Sequence, residues 1–290
     1  MQTITKDKAI FAMSKNNPPV AHANPGETIA FETMDALANG ITSEDQQLDT
    51  FDWNKVNPAT GPLFINGAQP GNILKIKIEK IDIASKGVML SIPGIGPLAD
   101  QVTSAIKIVE VKGDKAIFND KIHLPLNKMV GVIGTAPAGE AINCGTPCAH
   151  GGNMDCIEVK EGNTIYLPVN VEGALLAMGD LHAVMADGEV GCTGIEIEGK
   201  VTVTIDVVKD DLPTPFIESP THIMALHSDE SLDIACDTAI QKMHKHLVNR
   251  YGFDKNDAAM FLSLAGDTKI AQVVDPKKTC RIEVSKEYLQ

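Results

Sequence analysis

The sequence predicts a mainly β chain, a sandwich of short strands with helices confined to its last fifth. Three observations carry this. Apolar and polar residues alternate with a period of two through most of the first 210 residues, Gly and Pro punctuate those runs, and no helical pattern lies between them. A parallel α/β sheet would need such crossover helices, so a sandwich is the simpler architecture.

In chain order, ETIAFETMDA sets apolar Ile29 and Phe31 against Glu32, the ordinary wet-face carboxylate of an edge strand, and exposes Asp35 just beyond. ILKIKIEKIDI alternates until Glu79-Lys80, where the phase breaks and a bulge would restore the apolar face. NTIYLPVNV keeps Ile165, Leu167, Val169 and Val171 in phase, while Pro168 argues for a sheet edge or a bulge. ALLAM, Ala174 to Met178, is an unbroken apolar run and reads as a buried strand. In IEIEGKVTVTIDV the apolar residues Ile195, Ile197, Val201, Val203, Ile205 and Val207 share one face, and Glu196, Glu198 and Lys200 belong to the wet one.

The last fifth changes period. SDESLDIACDTAIQKMHKHLVNRYG carries Leu232, Cys236, Ala239, Met243 and Leu247 at three- and four-residue spacing between a capping Ser and Gly252, which predicts an amphipathic helix. His244 and His246 then fall on its solvated side. Asp254 caps a second helix that closes at Gly266, and QVVDPKKTCRIEV returns to strand with Pro276 in the bend. The chain reads as one domain over 1–290, with a sub-boundary near 210 at KDDLPTP and a helical part over 228–266. Whether the helices cover the sandwich or meet another subunit is left open.

With 25 Lys+Arg against 38 Asp+Glu in 290 residues, the net charge of −13 argues against nucleic acid and anionic membranes as partners. No apolar segment approaches the roughly 20 residues of a membrane span, and MQTITKDKAIFAMSKNN lacks a secretory apolar core, so the expected compartment is the cytoplasm. The six cysteines are read as reduced thiols. Cys144, Cys148 and Cys156 beside His150 lack the second well-spaced pair that a structural zinc site would show.

Chemistry concentrates in two stretches. GDLHAVMADGEVG places Asp180 and His182 two residues apart, so both project from one face of a continuing strand, and Asp187-Gly188 makes a turn that returns Glu189 toward His182. Carboxylate plus imidazole suits zinc, the surplus of oxygens suits a harder cation, and crowded carboxylates suit acid–base work. HGGNMDC offers Asn153 and Asp155 on one face beside His150, Gly151 and Gly152, the glycines permitting close approach of backbone to a ligand. An Asp-Gly hairpin and an ordinary glycine turn are the plainer explanations of each stretch taken alone. No nucleophile elbow, Walker loop, dinucleotide fingerprint, HExxH or serine-amidase signature occurs, so any hydrolase here would activate water.

The blocks NPATGPLFINGAQPGNILKIKI, HGGNMDC, GDLHAVMADGEVGCTGIEIEG, PTHIMALHSDESLDIA and FLSLAGDTKIAQVVDPKK together resemble the acetamidase/formamidase family and follow its order. That resemblance implies a jelly-roll-like sandwich with peripheral helices, assembled into homo-oligomers of two or more chains, that hydrolyses short aliphatic amides and binds a divalent metal, zinc first and calcium second. Asn153, Asp155, Asp180, His182, Asp187 and Glu189 fall on the family's polar motif positions. GEVGCTG departs from the family's GEVCGT, which bears on substrate preference before core chemistry. The working assignment has Asp155, Asp180, His182 and Glu32 as metal ligands, Glu189 as the base, Asp187 and Asn153 as further catalytic residues, and His150, Gly151 and Gly152 against the substrate. Its rivals are a non-catalytic sandwich module with a structural cation and an amidase for a larger or cyclic amide.

Overall fold

The computed structural model describes residues 1–48 and 51–289. Among them, two large sheets of nine and eleven strands pack face to face. The first sheet runs in space through Gln2–Ile4, Thr28–Thr33, Gly199–Val208, Ile73–Ile83, Thr164–Pro168, Phe216–Glu218, His222–Asp229, Lys278–Ser285 and Gly266–Gln272. At the heart of the second lies Leu176–His182. One of its edges pairs with Met129–Gly134, and the other pairs first with Ala59–Ile65 and then with Glu196–Ile197.

The alternating faces meet between the sheets. Phe31, Ile76 and Val203 of one pack with Leu63, Met178 and Leu181 of the other in a single buried cluster, each large apolar side chain contributing roughly 1.5–3 kcal/mol. The phase break in ILKIKIEKIDI is a bulge: Thr202 faces Lys80 and Val203 faces Ile78, so Glu79 is passed over. Pro168 ends its strand. It pairs with Ile73 on one side, while the ladder on the other side stops at Tyr166, so its missing N–H interrupts nothing.

The helices cover the sandwich. The first, α1 (Leu232–Tyr251), starts at Ser231, whose hydroxyl accepts from the Ile234 amide, and stops at Gly252 with φ +72°. The second, α2 (Lys255–Ala265), is capped by Asp254, which accepts from the amides of Asn256 and Asp257. Ala239, Met243, Leu247, Ala258 and Leu262 pack on the outer face of the first sheet, against Phe216, Ile223, Ile282 and Val284. His246 is buried rather than solvated, because the rings of Phe216 at 5.0 Å and Tyr251 at 5.6 Å close around it. Past residue 210 the chain stays in the same sheet, as Phe216–Glu218 pairs with Thr164–Tyr166. No helix among the described residues is long and apolar enough to cross a membrane.

Candidate active site

The buried strand Leu176–His182 delivers Asp180 and His182 to the floor of a cavity of about 380 Å³. After His182 the chain turns, and Glu196 comes back opposite His182 in the antiparallel ladder. Glu196 Oε2 lies 3.0 Å from His182 Nε2, Asp180 Oδ1 lies at 3.3 Å and Asp155 Oδ1 at 3.8 Å. Glu189 joins from the intervening turn, and Asn153 and Asp275 complete the floor. Two overlapping groups, Asp155–Asp180–His182 and His182–Glu189–Glu196, each bring one ligand atom per residue within 4.8 Å of the others. Asp155 Oδ1, Asp180 Oδ1 and Glu196 Oε2 are buried without a hydrogen-bond partner, a costly arrangement unless a ligand supplies one.

The backbone is held against its preferences at the same place. Asp155, Asp180, Glu189 and Cys192 have φ of +41°, +56°, +45° and +74°, conformations that cost non-glycine residues of order 1–3 kcal/mol each and persist only where the surroundings enforce them. Gly131 makes room for the carboxylates, since a Cβ there would overlap Asp155 Oδ1 and Asp180 Oδ2. Gly194 does the same for the imidazole, as its Cβ would stand 2.6 Å from His182 Nδ1.

Crowding sets the protonation pattern. Burial raises Asp155 well above the usual carboxylate range, and Glu189 and Asp180 push it further; burial likewise raises Glu189 and Glu196. Burial acts to raise Asp180 too, but His182 outweighs it and holds Asp180 low. For His182 burial works to lower the pKa, and the Glu196 and Asp180 carboxylates overcome it and raise it well above the ordinary value. Burial and then Glu189 push the Cys192 thiol up to about 12, so it stays protonated at neutral pH and is a poor nucleophile.

Of the residues expected from sequence, Asn153, Asp155, Asp180, His182 and Glu189 meet on this floor. Others lie elsewhere. Asp187 forms a two-pronged pair with Arg281, at 2.5 and 2.8 Å, outside the cavity. Glu32 sits opposite Lys200 in the first sheet and belongs to neither potential metal group. Asp35 is buried and accepts from the backbone amides of Leu37 and Asn39. Gly151 and Gly152 fit against Ile133 O and Thr146 O, so their missing side chains serve backbone packing. His150 stands behind them, buried with both ring nitrogens unpartnered, and burial followed by Lys277 lowers its pKa to about 4.

Sequence reasoning missed Glu196 and Asp275. Alternation with Ile195 and Ile197 predicts a wet face for Glu196, yet its strand pairs on both sides and Glu196 lines the cavity, buried. Asp275 lies in the bend before Pro276, where it accepts from Asn153 Nδ2 at 3.0 Å, and nothing local marks that long-range contact.

The model of the acetamidase/formamidase family matches residues 12–144 and 138–287. The chain belongs to that family. Among solved structures, an acetamidase of Bacillus halodurans shares 44% identity and a TM-score of 0.97, over 99% of this chain and 98% of that one. An acetamidase of Yersinia enterocolitica shares 28% and 0.95, over 100% and 93%. A formamidase of Methylophilus methylotrophus is 24% identical, with 70% of this chain and 65% of that one covered. The chain spans just under two thirds of the length of the curated relatives it matches, from 63% to 65%.

Proposed function

We propose that this family member hydrolyses the C–N bond of short primary carboxamides to a carboxylate and ammonia, using water as the nucleophile. One observation carries the reading: His182 and the carboxylates of Asp155, Asp180, Glu189 and Glu196 converge, buried and partly unpartnered, on the floor of one cavity. The names of the related amidases support it.

The donor set fits a divalent ion. Three orphaned carboxylate oxygens surround an imidazole nitrogen, and two glycines clear the space around them. Asp155, Asp180 and His182 would hold it, with Glu196 within reach; one imidazole among carboxylates suits zinc, with calcium as the oxygen-favouring alternative. Bound there, such an ion would lower the pKa of a water toward roughly 7 and polarise the carbonyl.

Glu189, whose carboxyl burial pushes above the usual range, takes one proton from the attacking water as the new C–O bond forms. It then returns that proton to the amide nitrogen, the C–N bond breaks and ammonia leaves. Without that proton the nitrogen is a poor leaving group. Asn153 Nδ2 is held by Asp275 and its Oδ1 is unpartnered, so Oδ1 is available to accept from the substrate's N–H and orient the amide. His150, Gly151 and Gly152 lie outside the cavity lining and support Asn153 through the backbone packing of their segment rather than touching substrate.

We also place the protein in a reducing compartment, the cytoplasm, which suits its six free cysteines. An assembly of two or more chains would cover Met260 and Leu264 of α2, 59% and 88% exposed. The test of the reading is ammonia release from formamide, acetamide and propionamide, measured before chelation, after it, and after adding back zinc or calcium. Release lost with the metal and restored by one ion supports the full proposal. Release that ignores metal removes the ion and leaves the carboxylates, and no release from any amide removes the amidase reading.

A further inference from the structure

The cavity has a mixed lining. Beside its ionisable floor and a few polar groups such as Asn57, Asn143 and Thr193, the cavity is lined by an apolar set, Leu37, Val56, Leu90 and Ile92, with the more exposed Trp53 and Ile95. That wall is preformed: Leu37 and Leu90 are buried in a small satellite core with Ile41 and Val88, against which Ile92 also packs. The turn beyond Ile92 is seated on the site itself, because Gly96 approaches Val274 so closely that a Cβ would lie 2.9 Å from its Cγ1, next to Asp275. A volume of about 380 Å³ also falls within the range of pockets, roughly 300–1,000 Å³, that enclose much larger ligands than a two-carbon amide. Formamide or acetamide on the floor would leave the apolar wall facing water.

Resting on the amidase reading above, we infer that the preferred substrate is a primary carboxamide whose acyl group is apolar and larger than acetyl, branched aliphatic or aryl, lodged against Leu37, Leu90 and Ile92. The amide end meets the carboxylate floor and the acyl end removes the wall from water. Ile92, at the inner edge of the turn, is a specificity-determining residue.

Initial rates with formamide, acetamide, isobutyramide and benzamide test this. Each carbon buried on the wall should raise kcat/KM about fourfold, so isobutyramide should exceed acetamide at least tenfold. A kcat/KM that is flat or falls from formamide to isobutyramide overturns the inference. In Ile92→Asn the isobutyramide-to-acetamide ratio should drop about tenfold; should that variant fail to fold, the wild-type series decides alone. If no amide releases ammonia, calorimetric titration with acetamide and isobutyramide separates the two claims. Tighter binding of isobutyramide would keep the wall and remove the amidase, whereas equal or absent binding would remove both.

Discussion

Arg281 and His182 each have side chains 1% exposed and each is ringed by carboxylates, but the two rings are built on opposite plans. Around Arg281, Asp187 grips both terminal nitrogens and Glu283 accepts from Nε at 3.3 Å, so the buried cation is paired. Around His182, Asp155, Asp180, Glu189 and Glu196 crowd four carboxyl groups onto one imidazole, and three of their buried oxygens lack a well-directed hydrogen bond. Asp187 and Glu189 are two residues apart and serve different rings. A satisfied cluster holds the fold together, and an unsatisfied one, maintained at the expense of strained backbone, is poised for a ligand.

The largest effect should come from the unsatisfied ring. Glu189→Gln should lower kcat for amide hydrolysis by roughly 10²–10⁴-fold while the urea midpoint stays level or rises, since a crowded carboxylate is removed. Near-normal turnover in that variant would assign the base elsewhere. Asp187→Ala should do the reverse, leaving Arg281 buried with a single partner and costing about 3 kcal/mol of stability, read from urea unfolding. If a folded Asp187→Asn protein is instead inactive, the division between the rings is wrong. Gly131→Ala should push Asp155 and Asp180 out of place, lowering zinc affinity by about 10–100-fold as followed by competition with a chromophoric chelator.

The smallest effect concerns His150, buried beside neither ring. Its folded pKa is lowered to about 4 from 6.5, by burial first and Lys277 second. Above pH 6.5 both folded and unfolded chains hold it neutral and it costs nothing; as pH falls below 6.5 only the unfolded chain takes up the proton, so stability declines until about pH 4. The loss should be on the order of 2 kcal/mol at pH 5. His150→Gln should flatten the urea midpoint between pH 7 and pH 5; an unchanged slope would show that His150 takes up its proton in the folded state.

Much of the architecture was legible because strand and helix periods are local. The bulge at Glu79, the caps Ser231 and Asp254 and the stop at Gly252 each follow from a few neighbouring residues. The site was legible in part for the same reason: Asp180 and His182 share a strand, and Asn153 and Asp155 share the HGGNMDC segment. Residue type alone points to Glu32, and motif position points to Asp187, but neither reports which sheet or which arginine a carboxylate faces. His246 shows the same limit, since a polar residue on a helix is solvated only where the sheet beneath leaves it uncovered.

Local alternation, caps and turn residues thus determine from sequence alone that this chain is a β-sandwich with two C-terminal helices, and the ordered polar blocks identify its family. Tertiary structure alone decided the membership of the two charge clusters. Glu196 reaches His182 across a ladder, Asp275 arrives from 120 residues beyond Asp155, and Arg281 removes Asp187 from the site. The physical reason is that a carboxylate's role depends on which charges share its low-dielectric surroundings, and those neighbours are chosen by long-range packing rather than by spacing along the chain.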